Sequence, residues 1–227
     1  MKFENTEVFN FKGAFRGMRN PLDSWNRADS EFMGLNYIKI GPKDLELAQR
    51  LISGGPEHRK FLRQIFVTVD ITAPFYWWKE FDTYKVGTVS NSCSTMHKLT
   101  SYPITIENFE LDDYEPNLIF EEGIDDSGDN AFEYSLPIKD IIGTEEDHYY
   151  YVETIIGFLE SLRKKYLATK DKRYWKELVR WLPEGWLQKR TITMNYENLR
   201  SMWSQRHAHK LTEWHSFCKW VETLPYA

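Results

Sequence analysis

Hydrophobic positions in the first third of the chain predict a helix, a strand and a second helix in succession. Apolar residues after Pro42 recur with helical spacing up to Ile52. Gly54-Gly55-Pro56 ends this helix, because glycine suits the position after a helix and proline cannot continue one. Residues 65–72, with the sequence IFVTVDIT, are β-branched and apolar at every second position, which predicts a half-buried strand. Ala73-Pro74 stops the strand, and Pro74 starts a short aromatic-rich helix over 75–84.

The second half of the chain is predicted to be mainly helical. Residues 144–147, Thr-Glu-Glu-Asp, have the pattern of a capping box, and the spacing after them predicts an amphipathic helix over 145–168. Shorter helices are predicted over 174–181, after an N-cap at Asn195, and from Thr212 to Glu222. The first 40 residues show no sustained period. Together these elements predict a single α+β domain over residues 1–227.

An acidic segment lies between the strand and the long helix. Residues 107–130 contain ten acidic side chains, no Lys and no Arg, and are interrupted by Gly123 and Gly128. This composition favours a solvated loop or hairpin with a charged rim over a metal site.

Composition limits the class of protein. The 227 residues suffice for a core without disulfides, and two cysteines exclude both a disulfide-rich scaffold and a cysteine-based zinc ribbon. The polar N-terminus does not resemble a signal peptide, and no apolar run reaches the ~18 residues of a membrane span, so a cytoplasmic protein is predicted. The net charge of −5 argues against a nucleic-acid polymer as partner but permits a local cationic pocket. Aromatic residues make up 16%, which favours a densely packed core or subunit interface over a ring-stacking site.

Common catalytic and metal-binding patterns are missing from the sequence. On one helix, the side chains of His207 and His209 would diverge by about 200° and could not bind the same metal ion. His215 is more than two turns from His207, so it does not complete a site with either residue, and no metal is predicted. The sequence has no glycine-rich phosphate loop and no nucleophile elbow. Cys93 lies in a polar, turn-like stretch, where a small packing residue is favoured over a nucleophile.

Two segments resemble the core of the flavin-dependent thymidylate synthases. In that family a strand leads through Ala-Pro into a helix that carries Arg-Gln, and Arg-His-Arg and then Ser follow. Here the predicted strand leads through Ala73-Pro74 into the aromatic helix. Lys79-Glu80 stands at Arg-Gln, Thr83-Tyr84-Lys85 stands at Arg-His-Arg, and Ser94 stands at Ser. Leu182-Pro183, Asn195, Leu199 and Arg206 have the family's spacing without a gap. His58 and Thr68 fall on the family's His and Thr positions near the flavin. The resemblance covers residues 50–100 and 180–220.

The resemblance implies an α+β fold with a small antiparallel sheet packed against long helices, in a homotetramer with sites shared between subunits. It also implies transfer of a one-carbon unit from methylenetetrahydrofolate to C5 of dUMP, with FAD as the cofactor and NADPH as the source of the flavin hydride. Arg206 is assigned to catalysis and to nucleotide binding. The remaining residues implied at the flavin are His58, Thr68, Tyr84, Lys85 and Asn195, and those at the nucleotide are Lys79, Glu80 and Ser94.

The family's arginines are largely replaced in this chain. Thr83-Tyr84-Lys85 stands at Arg-His-Arg, Lys79-Glu80 at Arg-Gln, and Glu197 at the second Arg of the later helix. Lys79 and Lys85 would supply point charges in place of guanidinium groups. Each implied site residue also has a structural alternative, namely a helix cap, a turn, an ion pair, a core position or a solvated charge.

Two other functions therefore stay open: a divergent relative that modifies another pyrimidine nucleotide, and a non-catalytic nucleotide-binding or scaffold protein.

Overall fold

The computed structural model describes residues 1–33, 37–111 and 145–227. Its strands are β1 Lys2–Phe9, β2 Glu31–Met33, β3 Tyr37–Lys39, β4 Phe66–Pro74, β5 Val89–Ser92 and β6 Leu187–Asn195. Its helices are α1 Phe11–Arg19, α2 Pro42–Ser53, α3 Phe75–Phe81, α4 Thr95–Lys98, α5 Glu145–Thr169, α6 Lys172–Arg180, α7 Tyr196–Arg206 and α8 Thr212–Glu222. The chain forms two compact units, Met1–Cys93 with Gln188–Ala227, and Ser94–Leu187. The single domain stays a prediction.

The first unit contains a four-stranded sheet in the order β1-β4-β6-β5. β1 is antiparallel to β4, and β5 is antiparallel to β6. Side-chain hydrogen bonds join Thr68 to Thr193 at 2.9 Å and Thr191 to Asp70 at 2.6 Å, so β4 and β6 also run in opposite directions. The predicted α+β class with a small antiparallel sheet is confirmed.

Strand β4 is the centre of the core, as its alternating pattern predicts. The side chains of Ile65, Val67, Val69 and Ile71 are at most 1% exposed. The strand continues through Pro74, which is the N-cap of α3 and not its first helical residue, so the predicted strand end was too early. The helix ends at Phe81, three residues before the predicted end at 84.

The aromatic helix α3 is covered by the chain itself. Trp77 and Trp78 are 0% and 1% exposed, and Phe75 and Tyr76 pack partly buried against the same core. The Trp77 ring centroid lies 4.9 Å from that of Trp214 on α8. The high aromatic content therefore builds a packed core, and the aromatic helix alone gives no reason to expect a partner subunit.

A buried ion pair organises the N-terminal region, where the sequence pattern predicted no element. Arg19 Nε donates to Asp44 Oδ1 at 2.6 Å, and the two side chains are 3% and 2% exposed. The other carboxylate oxygen accepts hydrogen bonds from the Ser30 hydroxyl at 2.6 Å and from the backbone N–H of Asp29 at 3.1 Å. Burial alone would raise the pKa of Asp44, but the hydrogen bonds from Ser30, Arg19 and Asp29 outweigh it and hold the pKa below its ordinary value of 3.8.

Of the helices in the first unit, α2, α3, α7 and α8 were predicted and α1 was not. Helix α2 begins at Pro42 as predicted, and the Asn195 side chain caps α7. Thr212 is the first residue of α8 and Leu211 is the N-cap, so the predicted cap at Thr212 was wrong.

The second unit has a smaller apolar core between α5 and α6. Leu159 and Leu162 of α5 pack with Leu178 of α6, and the predicted long helix is confirmed at Glu145–Thr169. Its predicted cap, Thr144, lies outside the described residues, as does the acidic segment apart from residues 107–111. Among the described residues, no helix is long and apolar enough to span a membrane.

We expect Asp44→Asn to lower the free energy of unfolding by about 3–5 kcal/mol, because it leaves the buried Arg19 guanidinium without a charged partner. The lowered pKa of Asp44 means that its stabilisation is complete above pH 3.8 and is lost as the pH falls through the folded-state pKa. Urea titrations between pH 7 and pH 3 measure both effects. Asp23→Asn, at an exposed position, is the control. Equal losses in the two variants would contradict the assignment.

Candidate functional site

Arg206, the last residue of α7, contacts side chains of α3, of α8 and of the segment that follows α3. Its Nε donates to the Tyr84 hydroxyl at 2.8 Å, and its Nη1 donates to Glu80 Oε2 at 2.9 Å. The guanidinium carbon lies 4.8 Å from the centroid of the Trp214 ring, within the range of a cation–π contact. The side chain is 21% exposed, so the guanidinium is positioned and still reachable from solvent.

Oε2 of Glu80 brings together three side chains that are distant in sequence. Besides Arg206, it accepts a hydrogen bond from the Trp214 indole at 2.9 Å, and Nε2 of His209 lies 3.5 Å away. Nδ1 of His209 accepts from the backbone N–H of Leu211 at 3.2 Å, so a neutral His209 carries its hydrogen on Nε2, toward the carboxylate.

Tyr84, which stands at the family's His position, orients Arg206. Its hydroxyl accepts from Arg206 and donates to Gln205 Oε1 at 3.0 Å, and its ring meets Trp214 edge-on at 6.0 Å. We refer to Glu80, Tyr84, Arg206, His209 and Trp214 as the Arg206 cluster. The structure thus brings together three predicted site residues, Glu80, Tyr84 and Arg206.

Sequence reasoning missed two members of the Arg206 cluster. Trp214 was unassigned, and His209 was considered only as a metal ligand. The three histidines have different partners, since His207 stacks on Trp203 at 4.8 Å and His215 Nε2 contacts the His209 carbonyl at 2.7 Å. The indole N–H of a buried tryptophan is usually hydrogen-bonded, and this tendency was the available signal for Trp214.

The side chains that the resemblance implies at a flavin differ in their exposure to solvent. Thr68 bonds to Thr193, and Asn195 is buried, with its Oδ1 accepting the Asn198 backbone N–H at 3.0 Å. His58 and Lys85 are exposed. In the described part of the chain, no hydrogen bond or ion pair joins any two of these four side chains.

Glu197, which the resemblance matches to the family's second helix Arg, forms an ion pair with Arg59. Arg59 Nε donates to both carboxylate oxygens of Glu197, at 3.0 and 2.9 Å. Glu197 therefore has a basic partner within the chain, and Arg59 is not free to bind a phosphate.

Four further residues have defined surroundings. Lys79 is exposed on α3, and Ser94 lies in the second unit, where its hydroxyl accepts the His97 backbone N–H at 3.1 Å as the cap of α4. Cys93 is exposed, so the interpretation as a packing residue was wrong. Cys218 is buried, and burial raises the pKa of its thiol to about 11.

In fold, the chain is similar to the flavin-dependent thymidylate synthases. It aligns with the crystal structure of the flavin-dependent thymidylate synthase ThyX from Helicobacter pylori complexed with FAD and dUMP, with a TM-score of 0.62 and 18% identity over 99% of this chain and 94% of that chain. A second ThyX structure from Helicobacter pylori with FAD and dUMP gives a TM-score of 0.61 and 18% identity over 100% of this chain and 94% of that one. No protein-family model and no curated protein matches the sequence.

We expect Arg206→Ala to lower the free energy of unfolding by about 1–3 kcal/mol, because it removes two hydrogen bonds and the contact with Trp214. A surface ion pair would contribute at most about 1 kcal/mol. Urea titration measures the loss, and Arg16→Ala, at an exposed position on α1, is the control. A loss no larger than that of the control would show that the Arg206 cluster is loosely held.

Proposed function

We propose that the protein is a flavin-dependent, thymidylate-synthase-like enzyme that transfers a one-carbon unit to C5 of dUMP. Arg206 carries the proposal: a guanidinium at the family's spacing from Leu182-Pro183 and Asn195, partly exposed on a fold of the same class. The structural neighbours with FAD and dUMP support the choice of ligands.

Arg206 suits the pyrimidine base better than the phosphate. Its described contacts use Nε and Nη1, which leaves the Nη2 hydrogens for a ligand oxygen. Glu80 lies beside it, and a carboxylate repels a phosphate dianion but accepts a hydrogen bond from the N3–H of uracil. We therefore assign Arg206 to a base carbonyl and Glu80 to the neighbouring base N–H.

The phosphates of both ligands would depend on lysines. Lys79 and Lys85 are exposed and occupy or adjoin the positions of the family's arginines. An ammonium group gives a point charge without the bidentate geometry of a guanidinium, so we expect weaker phosphate binding than arginines would give. Ser94 remains a proposed contact of the nucleotide.

The residues present fit a flavin through His58, Tyr84 and Lys85, whose side chains are exposed or half-buried. Thr68 and Asn195 would shape the site from the strand and the helix cap, since their own hydrogen bonds are made within the chain. When bound, FAD would supply the hydride that reduces the product, with NADPH as electron donor and methylenetetrahydrofolate as one-carbon donor. Tyr84 would keep the Arg206 guanidinium oriented during the reaction.

A second candidate is a divergent relative that acts on another pyrimidine nucleotide. The observation that favours it is Glu80, because a carboxylate accepts a hydrogen bond from the amino group of cytosine as well as from uracil N3–H. Calorimetric titration with dUMP and dCMP separates the two, and tighter binding of dCMP would favour the second candidate. A protein that binds neither FAD nor a nucleotide would instead fit the scaffold function.

We also propose a cytoplasmic homotetramer, on the resemblance alone. Light scattering tests the assembly, and a 27.1 kDa species at micromolar concentration would contradict it.

We expect the protein, supplied with FAD, NADPH, methylenetetrahydrofolate and dUMP, to form dTMP, detected by mass spectrometry. Arg206→Gln should lower kcat/KM by roughly 10- to 150-fold, because losing a charge-assisted hydrogen bond to the base costs about 1.5–3 kcal/mol. Arg16→Gln should leave turnover unchanged. Binding of FAD and dUMP without any dTMP would contradict the proposed reaction.

We expect FAD to dissociate readily on dialysis. Thr83-Tyr84-Lys85 leaves one cation where the family has two arginines and a histidine, and each charge-assisted hydrogen bond contributes about 1.5–3 kcal/mol. Flavin fluorescence titration measures the affinity, with Lys85→Gln as the variant expected to weaken it further and Lys12→Gln as the exposed control. A protein that stays yellow after extensive dialysis would contradict this expectation.

A further inference from the structure

The first unit contains a cavity that shares no lining residue with the Arg206 cluster. Its volume is about 480 Å³, within the ~300–1,000 Å³ typical of small-molecule sites. Side chains of α1, α2, α7 and α8 line it, and most of them are apolar or aromatic, among them Phe11, Phe15, Ala48, Phe61 and Tyr196.

We refer to Phe11, Phe15, Phe61 and Tyr196 as the aromatic wall of the cavity. Its one polar group is the Tyr196 hydroxyl. The Tyr196 hydroxyl donates to the Pro225 carbonyl at 2.6 Å, and burial raises the pKa of this phenol, so the side chain is neutral and already hydrogen-bonded. The aromatic wall therefore suits apolar rings, and Gln49 is the uncharged amide side chain that also lines the cavity.

The charged side chains that line the cavity are Arg200 and Glu222. Glu222 Oε1 accepts the indole N–H of Trp203 at 2.9 Å. Arg200 is exposed, and the described part of the chain gives it neither a hydrogen bond nor an ion pair. An unpaired guanidinium beside an apolar cavity is complementary to a ligand with one anionic group.

We propose that this cavity binds an apolar, ring-containing monocarboxylate, with the rings against the aromatic wall and the carboxylate on Arg200. A guanidinium binds a carboxylate through two parallel hydrogen bonds, which gives both orientation and affinity. A phosphate dianion suits the site less well, because Glu222 lies on the same lining. The proposal does not depend on the nucleotide function.

The test is calorimetric titration of the whole protein with 2-naphthoate. We expect saturable binding with a dissociation constant of about 10–100 μM. Arg200→Gln should weaken it about tenfold or more, because it removes a charge-assisted pair. Arg16→Gln, which changes an exposed arginine that does not line the cavity, should bind as the wild type does.

Two further measurements test the location and the charge. Ala48→Leu should narrow the cavity and weaken binding, and Leu45→Trp, at a 37% exposed lining position, serves the same purpose if Ala48→Leu fails to fold. The matched cation 2-naphthylmethylamine should not bind. Equal binding of the amine and the carboxylate, unchanged affinity in Arg200→Gln, or no binding of 2-naphthoate by the wild type would each overturn the proposal.

Discussion

The ion pair between Glu80 and Arg206 joins the two parts of the chain on which the candidate site depends. The two residues are 126 positions apart, one on the helix after β4 and the other at the end of the helix after β6. The same carboxylate oxygen also accepts a hydrogen bond from the Trp214 indole N–H, so the Glu80 carboxylate is hydrogen-bonded to a residue of the aromatic core. A partly buried guanidinium and carboxylate need each other here, since removing either leaves an uncompensated charge.

Local patterns predicted local structure well. The alternation of β4 and the cap at Asn195 are properties of neighbouring residues, and both are confirmed. β6 was missed because its polar positions are partly buried by distant partners, such as Arg190, whose guanidinium lies 4.2 Å from the Trp78 ring. Helix α1 was missed because Gly13 and Gly17 interrupt its apolar pattern.

The candidate site shows the same division. Arg206 was identified through the family resemblance, which matches one continuous segment from Leu182 to Arg206. Its contacts with Glu80, Tyr84 and Trp214 join segments that only the tertiary fold brings together. The fold is similar to that of the flavin-dependent thymidylate synthases at 18% identity, and a shared fold does not by itself determine the chemistry of a site. The ion pair between Arg59 and Glu197 is of the same kind, because it joins residues that are 138 positions apart in the sequence.

The central claim is that Arg206, with Glu80 beside it, binds the pyrimidine base and not the phosphate. It is tested most directly by calorimetric titration of wild type and Arg206→Gln with two ligands, dUMP and deoxyuridine, which share the base and differ by the phosphate. Arg206→Gln should lower the affinity for dUMP and for deoxyuridine by the same factor. A loss confined to dUMP would show that Arg206 binds the phosphate and would contradict the claim.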